Sequence, residues 1–149
     1  MRGPRTNPDG CDVLSFASMQ RGGVSGNPLA SFDEFHVNRQ ALSLFLPVGD
    51  LMGIFGWRGA KEDKRSARQL LGREPSEFPD GRVPLYVCPL CGDLGCGAIS
   101  VKVSFQDGCV VWSEFGRQAL GSELSIMEDP IRDLWFQREV YESTLSSYF

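Results

Sequence analysis

The sequence predicts an α+β fold built on an antiparallel sheet, and three observations support that prediction. Over residues 98–105, apolar side chains alternate with serine and lysine, which is the period of a half-buried strand. Asp107-Gly108 then favours a type I′ turn, so residues 109–115 are expected to return as the second strand of a hairpin. Residues 60–71 combine a polar surface with a narrow apolar stripe, and the following Gly72 is typical of the position just beyond a helix.

The N-terminal half is predicted to contain two strands and one short helix. Residues 11–19 and 32–37 are the strand candidates, and a glycine-rich loop separates them. Asn38 is a good helix cap, which predicts a short helix that ends before Pro47. Residues 49–59 are interrupted by glycine but carry enough large apolar side chains to be packed in the core.

The C-terminal half is predicted to hold most of the sheet and a closing helix. Residues 82–87 are a further strand candidate, and together with the hairpin they make a three-stranded antiparallel meander. A turn rich in cysteine and glycine joins this strand to the hairpin. Val140, Tyr141 and Leu145 recur at helical spacing and predict a C-terminal helix, which brings the expected number of helices to two or three.

Length and composition indicate one globular domain. The chain has 149 residues, of which 42% are hydrophobic and 23% charged, and these values are ordinary for a soluble domain. Residues 1–10 are expected to be a disordered lead-in to a single domain over residues 11–149. No apolar run approaches the roughly 20 residues of a membrane span, and none follows the N-terminal arginines as in a secretory signal. We therefore expect a cytoplasmic protein that does not act at a membrane.

The charge balance limits the partners that we expect. The formal net charge is −4, whereas nucleic-acid-binding domains normally present a basic face, so no nucleic-acid partner is expected. Negative charge suits a protein partner with a basic surface, because complementary charge speeds encounter, but it also serves solubility alone. Four acidic residues near the C-terminal end form either a solvated face or a docking surface: Glu123, Glu128, Asp129 and Asp133.

The most distinctive segment is the cysteine turn, residues 88–97, in which Cys88, Cys91 and Cys96 lie among three glycines. Cys-x-x-Cys is the spacing at which two thiolates bind one zinc ion, and Cys96 adds a third. This pattern predicts one structural zinc ion held by the three cysteines. A fourth ligand is not evident from the spacing, and the candidates considered are Cys109, His36 and Asp93.

Two other interpretations of the cysteine turn remain open. A strand that delivers Cys-Pro-x-Cys resembles the start of a glutaredoxin, a family that places its first cysteine at a helix N-terminus to lower the thiol pKa. The glycine-rich residues after Cys91 do not favour such a helix. In the third interpretation the cysteines are small apolar side chains packed in a tight turn.

The rest of the sequence shows no recognised catalytic or cofactor-binding motif. There is no nucleophile elbow, no Walker loop and no dinucleotide fingerprint. His36 is the only histidine, and a histidine without a positioned partner is more often structural than catalytic. The sequence therefore does not decide whether the protein is an enzyme, but it favours a non-catalytic protein.

The residues around the cysteine turn also carry a resemblance. Residues 81–99, with Val-Val-Trp-Ser-Glu-Phe at residues 110–115, resemble a family of small, uncharacterised bacterial proteins. That family has a Cys-Pro-x-Cys-Gly-Asp-Leu-Gly-Cys-Gly core followed by a Val-x-Trp-x-x-Phe strand, and some members carry an oxidoreductase label. The size and α+β build are similar to those of immunity proteins from bacterial toxin systems.

This second resemblance implies a non-catalytic protein that binds and neutralises a cognate toxin. The alternative is a thiol- or zinc-dependent, oxidoreductase-like protein that uses the turn Cys88-Pro-Leu-Cys91. Neither resemblance specifies the partner's identity, the surface that binds it, or the oligomeric state.

Overall fold

The computed structural model describes residues 3–8, 10–21, 30–89, 94–127 and 130–149. Over these residues the chain forms two antiparallel sheets and two α-helices, which confirms the predicted α+β class. The strands are β1 Leu14–Arg21, β2 Ala30–Val37, β3 Gln40–Ala41, β4 Met52–Gly53, β5 Val83–Val87, β6 Ala98–Gln106, β7 Cys109–Gln118, β8 Ser125–Ile126 and β9 Leu134–Gln137. The helices are α1 Ala60–Leu70 and α2 Arg138–Leu145.

The first sheet has the order β1-β2-β3, and it corrects one prediction. Asn38 does not begin a helix. Asn38 and Arg39 have φ values of +52° and +68° and form the two-residue turn between β2 and β3, as in a type I′ hairpin. Asparagine is one of the few residues besides glycine that tolerate this left-handed backbone, and only a short 3₁₀ turn follows, over residues 42–44.

The second sheet has the order β4-β5-β6-β7-β8, and β9 also pairs with β7. The predicted meander of β5, β6 and β7 is confirmed. Asp107 and Gly108 have φ values of +43° and +78°, which confirms the type I′ turn between β6 and β7. Cys109 pairs with Gln106, because the tight turn makes these two residues its flanking pair.

Both helices occur where the sequence predicted them. Gly72 follows the C-terminus of α1 with a φ of +72°, the conformation in which glycine ends a helix without strain. The space around Gly72 is also too small for a side chain, since a Cβ atom there would lie 2.7 Å from Cε2 of Phe105. The second helix buries Tyr141 and Leu145 and continues into a 3₁₀ turn over residues 146–148.

One hydrophobic core joins the two sheets. Phe35 of β2 lies at its centre, with ring centroids 5.7 Å from Tyr86 and 5.9 Å from Trp112 of the second sheet. Residues 49–59 are packed as predicted, because Ile54 and Phe55 are fully buried. Edge-to-face aromatic contacts of this kind add to the free energy gained by burying the rings.

A buried ion pair holds the N-terminal segment against the domain. Arg132 donates hydrogen bonds to both carboxylate oxygens of Asp12, at 2.9 and 2.8 Å, and to the carbonyl of Pro4. Asn38 donates to Asp12 Oδ1 at 2.7 Å and to the carbonyl of Arg5 at 2.8 Å. Pro4, which belongs to the predicted lead-in, is buried and accepts the hydrogen bond from Arg132. The disorder expected over residues 1–10 stays a prediction.

Candidate functional site

The cysteine turn lies between β5 and β6 at one end of the second sheet. Cys88 follows β5, is half-buried and packs against the core, while Cys96 is exposed in the 3₁₀ turn over residues 94–96. Cys91 and Asp93 lie outside the described residues. The zinc site of Cys88, Cys91 and Cys96 therefore stays a prediction.

Two backbone hydrogen bonds hold the described end of this turn. The carbonyl of buried Leu94 accepts one from the amide of Gly97, at 3.2 Å, and one from the amide of Leu120, at 3.1 Å. The turn is thereby joined to the loop that follows β7. Cys88 follows β5 and Cys96 precedes β6, and these two strands are antiparallel neighbours. The fold therefore brings both residues to the same end of the sheet.

The structure does not bring the other proposed zinc ligands to this turn. Cys109 is the first residue of β7 and lies beside the far end of β6, a strand of nine residues. At roughly 3.3 Å per residue, the length of β6 separates Cys109 from the cysteine turn by about 26 Å. His36 lies in the first sheet, with Nδ1 3.1 Å from the carbonyl oxygen of Glu34. Among the residues that the structure describes, no three histidine, cysteine or acidic side chains are grouped to hold a metal ion.

Cys109 has a different neighbour, which sequence reasoning missed. Its side chain lies close to that of Cys11, and neither residue is in a disulfide. Asp12 pairs with Phe136 on one side of β9, while Cys109 pairs with Gln137 on the other, so both cysteines lie beside that strand. Desolvation, together with the neighbouring Cys109, raises the pKa of the Cys11 thiol.

A second polar cluster connects the segment after β4 with the C-terminal end of the chain. Tyr148 donates a hydrogen bond to Asp33 Oδ2 at 2.7 Å, and its ring stacks on that of Phe55 with centroids 4.2 Å apart. The amide of Gly56 donates to Asp63 Oδ1 at 3.1 Å. Burial raises the pKa of Asp63, and burial with the Asp33 hydrogen bond raises the pKa of Tyr148. These groups join four segments of the chain: β2, the residues after β4, α1 and the C-terminal turn.

Two further polar groups are buried inside the sheets. Glu34 of β2 is fully buried, and Tyr86 donates a hydrogen bond to its Oε1 at 2.5 Å. Among the described residues its Oε2 has no hydrogen-bond partner. Arg82 donates to Oγ and to the carbonyl oxygen of Ser100, both at 3.0 Å, and to the carbonyl of Glu114. Glu114 has a φ of +52°, so Arg82 stabilises an irregular point where β6 and β7 shift register.

An exposed aromatic feature is formed by five residues from four segments, which we name the Phe–Arg surface. They are Arg73, Phe105, Arg138, Glu142 and Phe149. The guanidinium of Arg138 lies 5.3 Å from the ring centre of Phe105, and that of Arg73 lies 6.0 Å from the ring centre of Phe149. Both arginines approach Glu142, at 3.0 and 3.9 Å. The sequence offers no local pattern that would group these residues.

Comparison with protein-family models gives no match, and neither the curated proteins nor the solved structures show a significant similarity. None of the helices in the described residues has the length and the apolar character needed to cross a membrane. Function is therefore inferred from the chemistry of the chain itself.

Proposed function

We propose that this chain is a non-catalytic protein-binding protein, and specifically an immunity protein that neutralises a cognate bacterial toxin by direct binding in the cytoplasm. The observation that supports this proposal is the Phe–Arg surface. Phe105 and Phe149 are 38% and 51% exposed, and aromatic and arginine side chains are the types most enriched at the centres of protein interfaces.

The arrangement of this surface favours binding because its side chains are already held in place. Each ring has an arginine over it, and both arginines approach Glu142 of α2. Side chains that are ordered before binding lose less conformational entropy when a partner arrives. A partner that covers the two rings would remove them from water and gain free energy from the apolar area buried.

Charge supports the encounter with a partner at longer range but not the contact at the Phe–Arg surface itself, where two arginines share Glu142. The net charge of −4 attracts a partner with a basic surface and speeds its encounter. The two rings then supply short-range contacts that do not depend on the sign of the partner's charge. We propose one partner protein and no nucleic acid or membrane.

The alternative is a thiol- or zinc-dependent oxidoreductase that uses Cys88 and Cys91. The two functions differ in what Cys88→Ser does. An enzyme that uses this thiol loses activity while its fold is retained, whereas a binding protein retains its partner as long as it stays folded. Partner binding by a folded Cys88→Ser variant would therefore favour the immunity function.

Growth in the presence of the toxin tests the proposal. The toxic product of a neighbouring gene is expressed alone, with the wild-type chain, and with the double variant Phe105→Ala, Phe149→Ala. We expect the wild type to restore growth and the double variant to fail. Leu44→Ala is the matched control, because Leu44 is 67% exposed and lies outside the Phe–Arg surface. The proposal is wrong if the wild type neither binds nor protects against any neighbouring product.

A further inference from the structure

A cleft lies between the N-terminal segment and the first sheet, on residues that the proposed function does not use. Its volume is about 660 Å³, and Arg5 and Thr6 line one side of it. Val13, which precedes β1, Ser15 of β1 and Arg39 of the turn between β2 and β3 also line it. A volume of this size is within the usual range of small-molecule sites, about 300–1,000 Å³.

The charge of the cleft is one-sided. Among the residues that the structure describes, its lining contains two arginines, Arg5 and Arg39, and no carboxylate. In the part of the chain that the structure describes, neither guanidinium takes part in an ion pair. The nearby carboxylate of Asp12 is already bound by Arg132 through two hydrogen bonds, so its charge is largely balanced.

The backbone that presents the two arginines is fixed by hydrogen bonds. The amide of Arg5 donates to Gln40 Oε1 at 2.6 Å, and its carbonyl accepts from Asn38 at 2.8 Å. Arg39 occupies the second position of the turn that Asn38 begins. The two arginines are therefore attached to one hydrogen-bonded frame, made of the N-terminal segment and the turn between β2 and β3.

We propose that this cleft binds a small anion with two or more charged groups, a di- or tricarboxylate or a phosphate ester. Arg5 and Arg39 each bind one anionic group, because a guanidinium matches the geometry of carboxylate and phosphate oxygens. The hydroxyl groups of Thr6 and Ser15 in the lining supply further donors. The proposal does not rest on the immunity function, since the cleft shares no residue with the Phe–Arg surface.

Titration with citrate and with pyrophosphate tests this proposal by calorimetry, at constant ionic strength kept with sodium chloride. We expect saturable binding of one anion per chain, and the tighter of the two probes identifies carboxylate or phosphate as the preferred chemistry. Arg5→Gln and Arg39→Gln should each weaken binding about tenfold or more, because each removes one charge-assisted contact. Arg39→Lys, which keeps the charge, should recover part of the loss.

Arg68→Gln is the control, since Arg68 is an exposed arginine of α1 outside the cleft. It should bind both probes as the wild type does. Folding of every variant is checked by its thermal unfolding midpoint. The proposal is overturned if neither probe saturates, or if Arg68→Gln weakens binding as much as Arg39→Gln. A second readout is available on the wild type alone, where the amide signals of Ser15 and Arg39 should shift with citrate or pyrophosphate and not with chloride.

Discussion

Two regions of this molecule that each hold more than one cysteine differ in how they are assembled. In the cysteine turn, Cys88 and Cys96 are brought to one end of a sheet by a short connection between two adjacent strands. Beside β9, Cys11 and Cys109 come from positions 98 residues apart and meet because Asp12 and β7 flank the same strand. The first region depends on local sequence, and the second depends on the whole fold.

This difference teaches what a cysteine pattern in a sequence can reveal. Spacing indicates a metal or redox turn because neighbouring residues stay neighbours in any fold. A pair such as Cys11 and Cys109 carries no spacing signal, because the two residues are brought beside β9 by pairings that are distant in sequence.

Arg132→Ala should have the largest effect, because it leaves the carboxylate of Asp12 buried without its cation. Removing one partner of a buried ion pair typically destabilises a protein by about 3–5 kcal/mol. The free energy of unfolding in urea measures this loss. Arg117→Ala is the control, since Arg117 is exposed, and it should change stability by no more than about 0.5 kcal/mol. Equal effects of the two substitutions would contradict the anchoring role given to Arg132.

Oxidation with diamide should link Cys11 to Cys109. The two thiols form one sulfur–sulfur bond, and their two hydrogen atoms reduce the nitrogen–nitrogen double bond of diamide to a hydrazine. Peptide mapping by mass spectrometry identifies the linked pair, and Cys109→Ser is the control that should abolish it. A cross-link over so long a loop is expected to raise stability by about 2–4 kcal/mol. Disulfides found only among Cys88, Cys91 and Cys96 would show that the observed contact does not make this pair reactive.

Zinc in the cysteine turn should make the thiols there respond to a chelator while those beside β9 do not. Cys96 is exposed in the structure, so slow alkylation of this residue that a chelator reverses would indicate a bound metal. We expect Cys88, Cys91 and Cys96 to be alkylated rapidly only after chelation, and the rate at Cys11 to stay unchanged. Native mass spectrometry should show one zinc ion per chain. Rapid alkylation of Cys88 or Cys91 without chelator would favour the redox alternative.

Acid should weaken the region around Asp12 by a smaller amount. Burial alone would raise the pKa of Asp12, but hydrogen bonds from Arg132, from the amide of Trp135 and from Asn38 together lower it below its usual value. A carboxyl group with a lowered folded pKa contributes stability above its unfolded pKa of about 3.9, and this contribution is lost as pH falls through the folded value.

The free energy of unfolding should therefore fall more steeply below about pH 4 in the wild type than in Asp12→Asn. Asp107→Asn is the matched control, because Asp107 is an exposed aspartate at the turn between β6 and β7, and it should keep the wild-type pH dependence. Parallel curves for the wild type and Asp12→Asn would contradict the lowered pKa.

Much of the fold could be predicted from sequence because its signals are local. Alternating side chains in β6, the Asp-Gly turn and the glycine after α1 each fix the conformation of a few adjacent residues. Asn38 was assigned wrongly because an asparagine that caps a helix and one that begins a tight turn look the same without their partners. Here its side chain bonds to Asp12, Arg5 and Val13, all distant in sequence.

The candidate sites divide in the same way. The cysteines of the turn could be chosen from spacing, although their ligand role stays a prediction. The Phe–Arg surface could not be chosen, because Phe105 and Phe149 come together only through α2 and the end of α1. The sequence alone does not distinguish an exposed phenylalanine from a phenylalanine in the core.

The dissociation constant of the complex with the cognate toxin tests the binding function most directly. It is measured for the wild type, for the double variant Phe105→Ala, Phe149→Ala, and for Leu44→Ala. Loss of two central aromatic contacts, at about 2 kcal/mol or more in total, should weaken binding roughly 30-fold or more, and Leu44→Ala should bind as the wild type does. An unchanged dissociation constant in a folded double variant would contradict the role assigned to the Phe–Arg surface.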